Sequence, residues 1–260
     1  MEKLNFYSIK TFIKKLSLAL GLYRPARYVN DLLTRREYIR RFRHDIEFFG
    51  ELLPSESLCF DVGSNIGEKS EALLKAGMRV IAIEPQPLCV AEITARCASY
   101  DKIEILQTAI GAEEGEAEMF ISDIFHASSS LDKQWGPSHK SIKVPVTTLD
   151  RLIEEYGQPY YCKIDVEGYE LEVLKGLSHS VPIISLEYHL TDQEIQKAFK
   201  CLRYLQDLSK DGIELNLTPA ENNNLTFPEW LSLESFTGRF PVEFHNKKEF
   251  NYGDIWVRTC

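Results

Sequence analysis

From Leu58 onward the chain repeats one unit: a short apolar run, a glycine turn, then apolar residues at helical spacing. That rhythm restricts the fold more than any other feature. Residues 57–62 (SLCFDV) read as a buried strand, 68–77 as a helix closed by Gly77, 78–84 (MRVIAIE) as a second strand and 87–99 as a second helix. A third strand is predicted at 103–109, and two more, at 116–122 and 141–147, flank a polar loop, 123–140. The pattern resumes with a helix at 148–157 capped by Thr147 or Thr148, a strand at 160–165, a helix at 168–176, a strand at 181–187 and the longest helix at 192–210. Such alternation predicts a mostly parallel sheet with helices on both faces. Two late strands, 212–218 and 253–259, have no helix of comparable strength between them and read as an antiparallel edge hairpin.

A chain of 260 residues suits one large α/β domain with a small appendage. The appendage is expected over residues 1–50, as two helical stretches separated by Pro25, and the main domain over 51–260. The formal charge of -9 is uneven: residues 1–45 hold 11 Lys+Arg against 4 Asp+Glu, leaving -16 on the rest. The acidic balance argues against nucleic acid as a partner. The basic segment 1–45 is a candidate surface for peripheral contact with an anionic membrane, its blander alternative being a helical cap on the main domain. No run of 18 apolar residues is present. The six cysteines form no C-x-x-C pair, which fits a reduced, cytoplasmic protein.

Asp61-Val62-Gly63-Ser64-Asn65-Ile66-Gly67 ends the first strand and opens the first helix. Gly63 and Gly67 allow close approach of backbone to a ligand, and the helix start offers free N–H groups. Glu84 ends the second strand, where an acid accepts hydrogen bonds from ribose hydroxyls. A dinucleotide site wants a second glycine where this chain has Asn65, and the carboxylate of Asp61 repels a pyrophosphate. An amino group and a sulfonium suit Asp61 better. S-adenosylmethionine carries both, has no phosphate, and offers a ribose to Glu84.

Asp165 and Glu167 follow the strand at 160–165, and Glu187 and His189 end the next one. Ligands of open α/β sheets lie beyond the carboxyl ends of strands, so these four groups converge if the two strands are neighbours. His189 then serves as a general base. A lower-ranked alternative has Asp165, Glu187 and His189 hold a divalent metal, which is not expected. A third reading is a salt-bridge network with Lys163.

These motifs resemble the FkbM-type family of S-adenosylmethionine-dependent methyltransferases. The resemblance rests on DVGSNIG (61–67), IEPQP (83–87), TAIGAEEGEAEMF (108–120), TTLDRL (147–152), KIDVEGYELEVLKG (163–176) and SLEYH (185–189), with GDIW (253–256) a weaker echo. It covers about residues 55–190; the family usually has alanine where this chain has Ser64. It implies a Rossmann-like class I methyltransferase fold with a seven-stranded sheet. It further implies that Asp61, Gly63, Ser64, Asn65 and Gly67 line the methionine and ribose side and that Glu84 meets the ribose diol. Adenine is expected near Pro85, Gln86, Thr108 and Ala109, and the transferred methyl near Asp165 and Glu167. The implied reaction is O-methylation of a hydroxyl on a sugar, glycolipid or secondary metabolite. Two alternatives stand beside it: a nicotinamide-dependent oxidoreductase acting on a sugar, and a non-catalytic binding protein with a cofactor fold. Neither the acceptor nor the oligomeric state is legible.

Overall fold

The computed structural model describes residues 23–121, 130–131, 140–220, 224–245, 247 and 250–259. The first helical stretch expected in residues 1–22 and most of the loop 123–140 lie outside the described residues. The chain divides into two units, Met1–Arg43 and His44–Cys260. Helix α1 (Tyr23–Leu52) runs through the division. Pro25 sits in its first turn, where a missing N–H costs nothing, so this helix begins before the proline rather than after it. Residues 44–52 of α1 belong to the second unit, where Phe49 is buried against Tyr161 and Trp256.

In the second unit β1 (Leu58–Val62) is buried at every position. It is followed by α2 (Glu68–Lys75), β2 (Arg79–Ile83), α3 (Pro87–Cys97) and β3 (Ile103–Leu106). Next come β4 (Ala109–Ile110), β5 (Gly115–Ile121), β6 (Lys140–Thr147) and α4 (Leu149–Tyr156). Thr148, one of the two expected caps, accepts a hydrogen bond from the Arg151 N–H at the start of α4. Then β7 (Tyr161–Ile164), α5 (Glu170–Lys175), β8 (Ile183–His189) and α6 (Asp192–Leu208) complete the alternation. The end of the chain forms β9 (Ile213–Pro219), β10 (Leu231–Ser232), α7 (Leu233–Arg239) and β11 (Tyr252–Thr259).

The main sheet has the order β10-β9-β11-β8-β7-β1-β2-β3. From β8 to β3 all pairs are parallel, while β11 runs antiparallel to both β8 and β9. This is the class I methyltransferase arrangement, with one strand more than expected: the two-residue β10 forms the edge. The late antiparallel pair is therefore not outermost, and β11 is inserted between β8 and β9. Trp256 on β11 is buried, stacks on Tyr161 and donates to Thr218 at 3.0 Å. That indole fixes the inserted strand between its neighbours.

Strands β4, β5 and β6 leave the main sheet and form a separate one, with β6 central. Fully buried Leu174 and Leu202 pack the helices onto the main sheet, each contributing about 1.5–3 kcal/mol. Among the described residues no helix is long and apolar enough to cross a membrane.

The strand order reverses at β1, whose neighbours β2 and β7 lead in opposite directions along the chain. A crevice opens at such a switch point, beyond the carboxyl ends of the strands. The turns after β1, β2, β7 and β8 all emerge there.

Candidate active site

The closest backbone approach in the crevice joins the turns after β1 and β7. Gly63 has φ +78°, and a Cβ on it would stand 1.8 Å from the carbonyl oxygen of Asp165. Only glycine permits both the left-handed backbone and that contact. The N–H of Asp165 also donates to the Val62 carbonyl at 3.1 Å. The two halves of the site are thus set side by side by main chain alone.

At one end of the crevice Glu84 is 3% exposed. Its Oε2 accepts the Asn65 N–H and its Oε1 the Gln86 N–H, each at 2.9 Å. Asn65 turns its N–H to Glu84 from a left-handed backbone, φ +50°. Burial pushes the Glu84 carboxyl up to about 7, against the pull of those two N–H groups. The Gln86 side chain also hydrogen-bonds the group, and a carboxylate has about four lone-pair positions, so about one remains for a ligand.

A cavity of ≈ 380 Å³ runs from Glu84 to the ends of β7 and β8. Gly63, Asn65, Pro85 and Gln86 line the end nearest Glu84. Thr108, Ala109 and Ile110 line it as well, with Met119 of the second sheet. Asp165, Glu167, Glu187 and His189 line the far end, so the four groups expected to converge do share one pocket.

Asp61, Ser64 and Gly67 are not among the lining residues. Asp61 is fully buried; its Oδ2 accepts from Ser70 Oγ at 2.5 Å and its Oδ1 lies 3.6 Å from Lys163 Nζ. It therefore braces β1 against α2 and β7 rather than presenting a carboxylate to the cavity. Ser64 Oγ donates to the Asp61 carbonyl at 2.6 Å. Gly67 is the left-handed cap of α2, packed on Ile93.

Four further residues complete the site. Lys163, buried, bridges Asp61 and Asp165, whose Oδ2 it meets at 3.0 Å; those two carboxylates keep the ammonium charged against the opposing effect of burial. Glu170 pins the loop after β7 by accepting the N–H groups of Val166 and Gly168, and burial raises its carboxyl to about 7. Ser130 Oγ donates to the Glu167 carbonyl at 2.8 Å and ties that loop to the second sheet. Tyr252 stacks on His189, centroids 6.0 Å apart, at the half-exposed rim. In the sequence only Lys163 carried a signal, through its place two residues before Asp165.

At the far end His189 Nε2 lies 3.4 Å from Glu187 Oε2. Burial lowers the imidazole below its usual value, opposed by Glu194 and Asp165. Burial also raises the Glu187 carboxyl well above the carboxylate range, and nearby Asp165 and Glu167 add to the effect. One atom each from Glu167, Glu187 and His189 fall within 4.8 Å of one another. Asp165, engaged by Lys163, is not a member of that set, and Glu167 takes the place expected for it. The cavity thus joins a hydrogen-bond acceptor at Glu84, an apolar lining and an acidic end.

Residues 61–216 match the sequence profile of the methyltransferase FkbM domain. The chain is 28% identical over 167 residues to the hexuronic acid methyltransferase AglP of Haloferax volcanii. That alignment covers 62% of this chain and 65% of the relative, slightly less than two thirds of its length. Among solved structures, the chain is similar to the plantazolicin methyltransferase BpumL in complex with SAH, with TM-score 0.44, 10% identity and 90% of each chain covered. It is similar also to precorrin-6y C5,15-methyltransferase from Geobacter metallireducens, with TM-score 0.43, 10% identity, and 82% of this chain and 86% of that one covered.

Proposed function

The chain belongs to the FkbM methyltransferase family, and on that premise we propose that it transfers a methyl group from S-adenosylmethionine to a hydroxyl of a sugar or glycolipid. We assign the reaction to residues 51–260, with 1–50 as a basic extension. One observation carries this reading: Glu84 and the acidic end occupy a single cavity. A hydroxyl of the ribose diol takes the position left open on Glu84. The neutral lining at Thr108 and Ala109 takes the adenine, on the opposite side of the ribose from the sulfonium. The sulfonium then faces Asp165 and Glu167, where negative charge stabilises it.

The acceptor oxygen attacks the methyl carbon in line with the departing sulfur. The carbon–oxygen bond forms as the carbon–sulfur bond breaks, and its electron pair leaves a neutral thioether. Alignment at the cavity's far end supplies most of the acceleration. The proton released by the hydroxyl needs an acceptor, and the His189 imidazole lining that end is the candidate. Asp61 supports the turn that holds the cofactor instead of touching it.

The test pairs calorimetry with S-adenosylhomocysteine and transfer of a labelled methyl from S-adenosylmethionine. The acceptor panel begins with hexuronic acids, because the named relative acts on them, and extends to neutral sugars. Saturable binding and a base-stable labelled product are expected. A melting temperature raised by NAD but not by S-adenosylhomocysteine reverses the reading in favour of a nicotinamide enzyme. Cofactor binding without transfer to any hydroxylated acceptor favours a binding protein.

A further inference from the structure

Glu187 is an acid in a poor setting for one. Its Oε2 is inaccessible to solvent and makes no hydrogen bond, although His189 Nε2 is 3.4 Å away. Among the described residues no lysine or arginine lies within ion-pair distance of it. The charged groups that act on it most, Asp165, Glu167, Glu170 and Asp254, are all acids. The nearby cations are engaged elsewhere: Lys163 with Asp61 and Asp165, Lys197 with Glu194. A buried carboxylate set among other carboxylates calls for a positive partner.

We infer that Glu167, Glu187 and His189 form a divalent-cation site at the acceptor end of the cavity. The ligand atoms lie within 4.8 Å of one another. Two neighbouring ligands about 2.1 Å from an octahedral ion stand ~3 Å apart, and Glu187 and His189 present theirs at 3.4 Å. Two carboxylates and an imidazole suit Mn²⁺ or Mg²⁺ better than a thiolate-seeking metal. Stacking on Tyr252 fixes the imidazole plane, and the Ser130 bond holds the Glu167 backbone. Three protein ligands leave about three positions of an octahedron open. They face the cavity, where two adjacent hydroxyl oxygens of an acceptor fit.

The purpose of the site rests on the methyltransferase reading, but its existence does not. With a cation present, His189 is a ligand rather than the proton acceptor. The cation lowers the pKa of the bound hydroxyl, and the proton passes to water.

Titration of the full chain with Mn²⁺, followed by loss of the free-ion electron paramagnetic resonance signal, tests the site without any acceptor. Binding of one Mn²⁺ per chain, displaced by Mg²⁺, is expected. Glu187→Gln and Glu167→Gln should each weaken it at least ~10-fold. Asp150→Asn, which breaks the exposed pair with His179, should leave it unchanged. If a variant fails to fold, as its melting curve reports, His189→Asn replaces it. Absence of saturable Mn²⁺ binding overturns the site, as does binding that none of the three substitutions weakens. S-adenosylhomocysteine calorimetry run in parallel separates the two ideas. Mn²⁺ bound without S-adenosylhomocysteine binding fails the cofactor reading alone, and the converse fails the cation site alone.

Discussion

Replacing Glu84 by glutamine separates what holds the cofactor from what holds the fold. Each carboxylate oxygen accepts one backbone N–H at 2.9 Å, and burial raises the group from 4.5 to about 7. Between those values the folded chain binds a proton that the unfolded chain has released. Stability therefore falls as pH rises through the interval, by ~3 kcal/mol in all. Glutamine removes that charge penalty. It also turns one NH₂ toward an N–H whichever way the amide is set, and a buried donor left without an acceptor costs ~1–3 kcal/mol. Near pH 8 the two effects oppose each other and are similar in size, so the melting temperature should stay close to that of the unmodified chain. Near pH 5 only the loss remains, and the variant should be the less stable. Cofactor binding behaves differently, because nothing offsets the lost hydroxyl contact. One charge-assisted hydrogen bond, at ~1.5–3 kcal/mol, corresponds to binding weaker by about 10-fold or more. Calorimetry with S-adenosylhomocysteine near pH 8 reads this directly. Affinity within about threefold of the unmodified chain would remove Glu84 from the ribose and refute the reasoning, since one charge-assisted hydrogen bond at ~1.5–3 kcal/mol predicts a larger loss. In the unmodified chain the same affinity should strengthen as pH rises toward about 7, as the carboxylate forms.

Gly63→Ala forces a Cβ to within 1.8 Å of the Asp165 carbonyl oxygen in a left-handed backbone. Urea unfolding should show a loss of at least ~3 kcal/mol, and an unchanged midpoint would mean that the two turns are not held together there. Lys163→Met leaves Asp61 buried with Ser70 as its remaining partner, at ~3–5 kcal/mol. Adding Asp61→Asn should recover some of that loss in the same assay, and no recovery would deny the ion pair its structural role.

The core of the fold was legible because parallel strands buried on both faces need continuous apolar runs. LCFDV, RVIAI, YCKI and IISLEYH supply them, and Gly63 and Gly168 mark the turns after the first and third. Sequence patterns fail where partners are chosen by tertiary contact. Residues 116–122 and 141–147 read as strands, but nothing local says that they pair apart from the main sheet. The α7 segment is too short for a periodic signal and is held by stacking of Phe236 on Phe240 and by Phe227. At the site, the expected salt bridges of Lys163 are present, to Asp61 and Asp165. Alternation along β7 has no authority beyond Ile164, where the strand ends. Glu167 then takes a left-handed backbone, φ +56°, and reaches Glu187 and His189 while Asp165 turns to Lys163.

The acids of the crevice are distinguished by their partners more than by their positions. Asp61 and Asp165 share Lys163. Glu170 takes two N–H groups of the loop it pins. These three serve the fold. Glu84 accepts two N–H groups and a hydrogen bond from the Gln86 side chain, yet its carboxylate keeps room for about one more donor. Glu187 keeps an oxygen with no hydrogen bond at all. A protein does not gain by burying such capacity unless something from outside completes it, because each unmet acceptor weakens the folded state. Two of the places where capacity is left over, at Glu84 and Glu187, line one cavity, and they differ in kind. One suits a neutral hydroxyl donor, and the other suits concentrated positive charge. A nucleoside sulfonium and an acceptor held by a cation meet both demands.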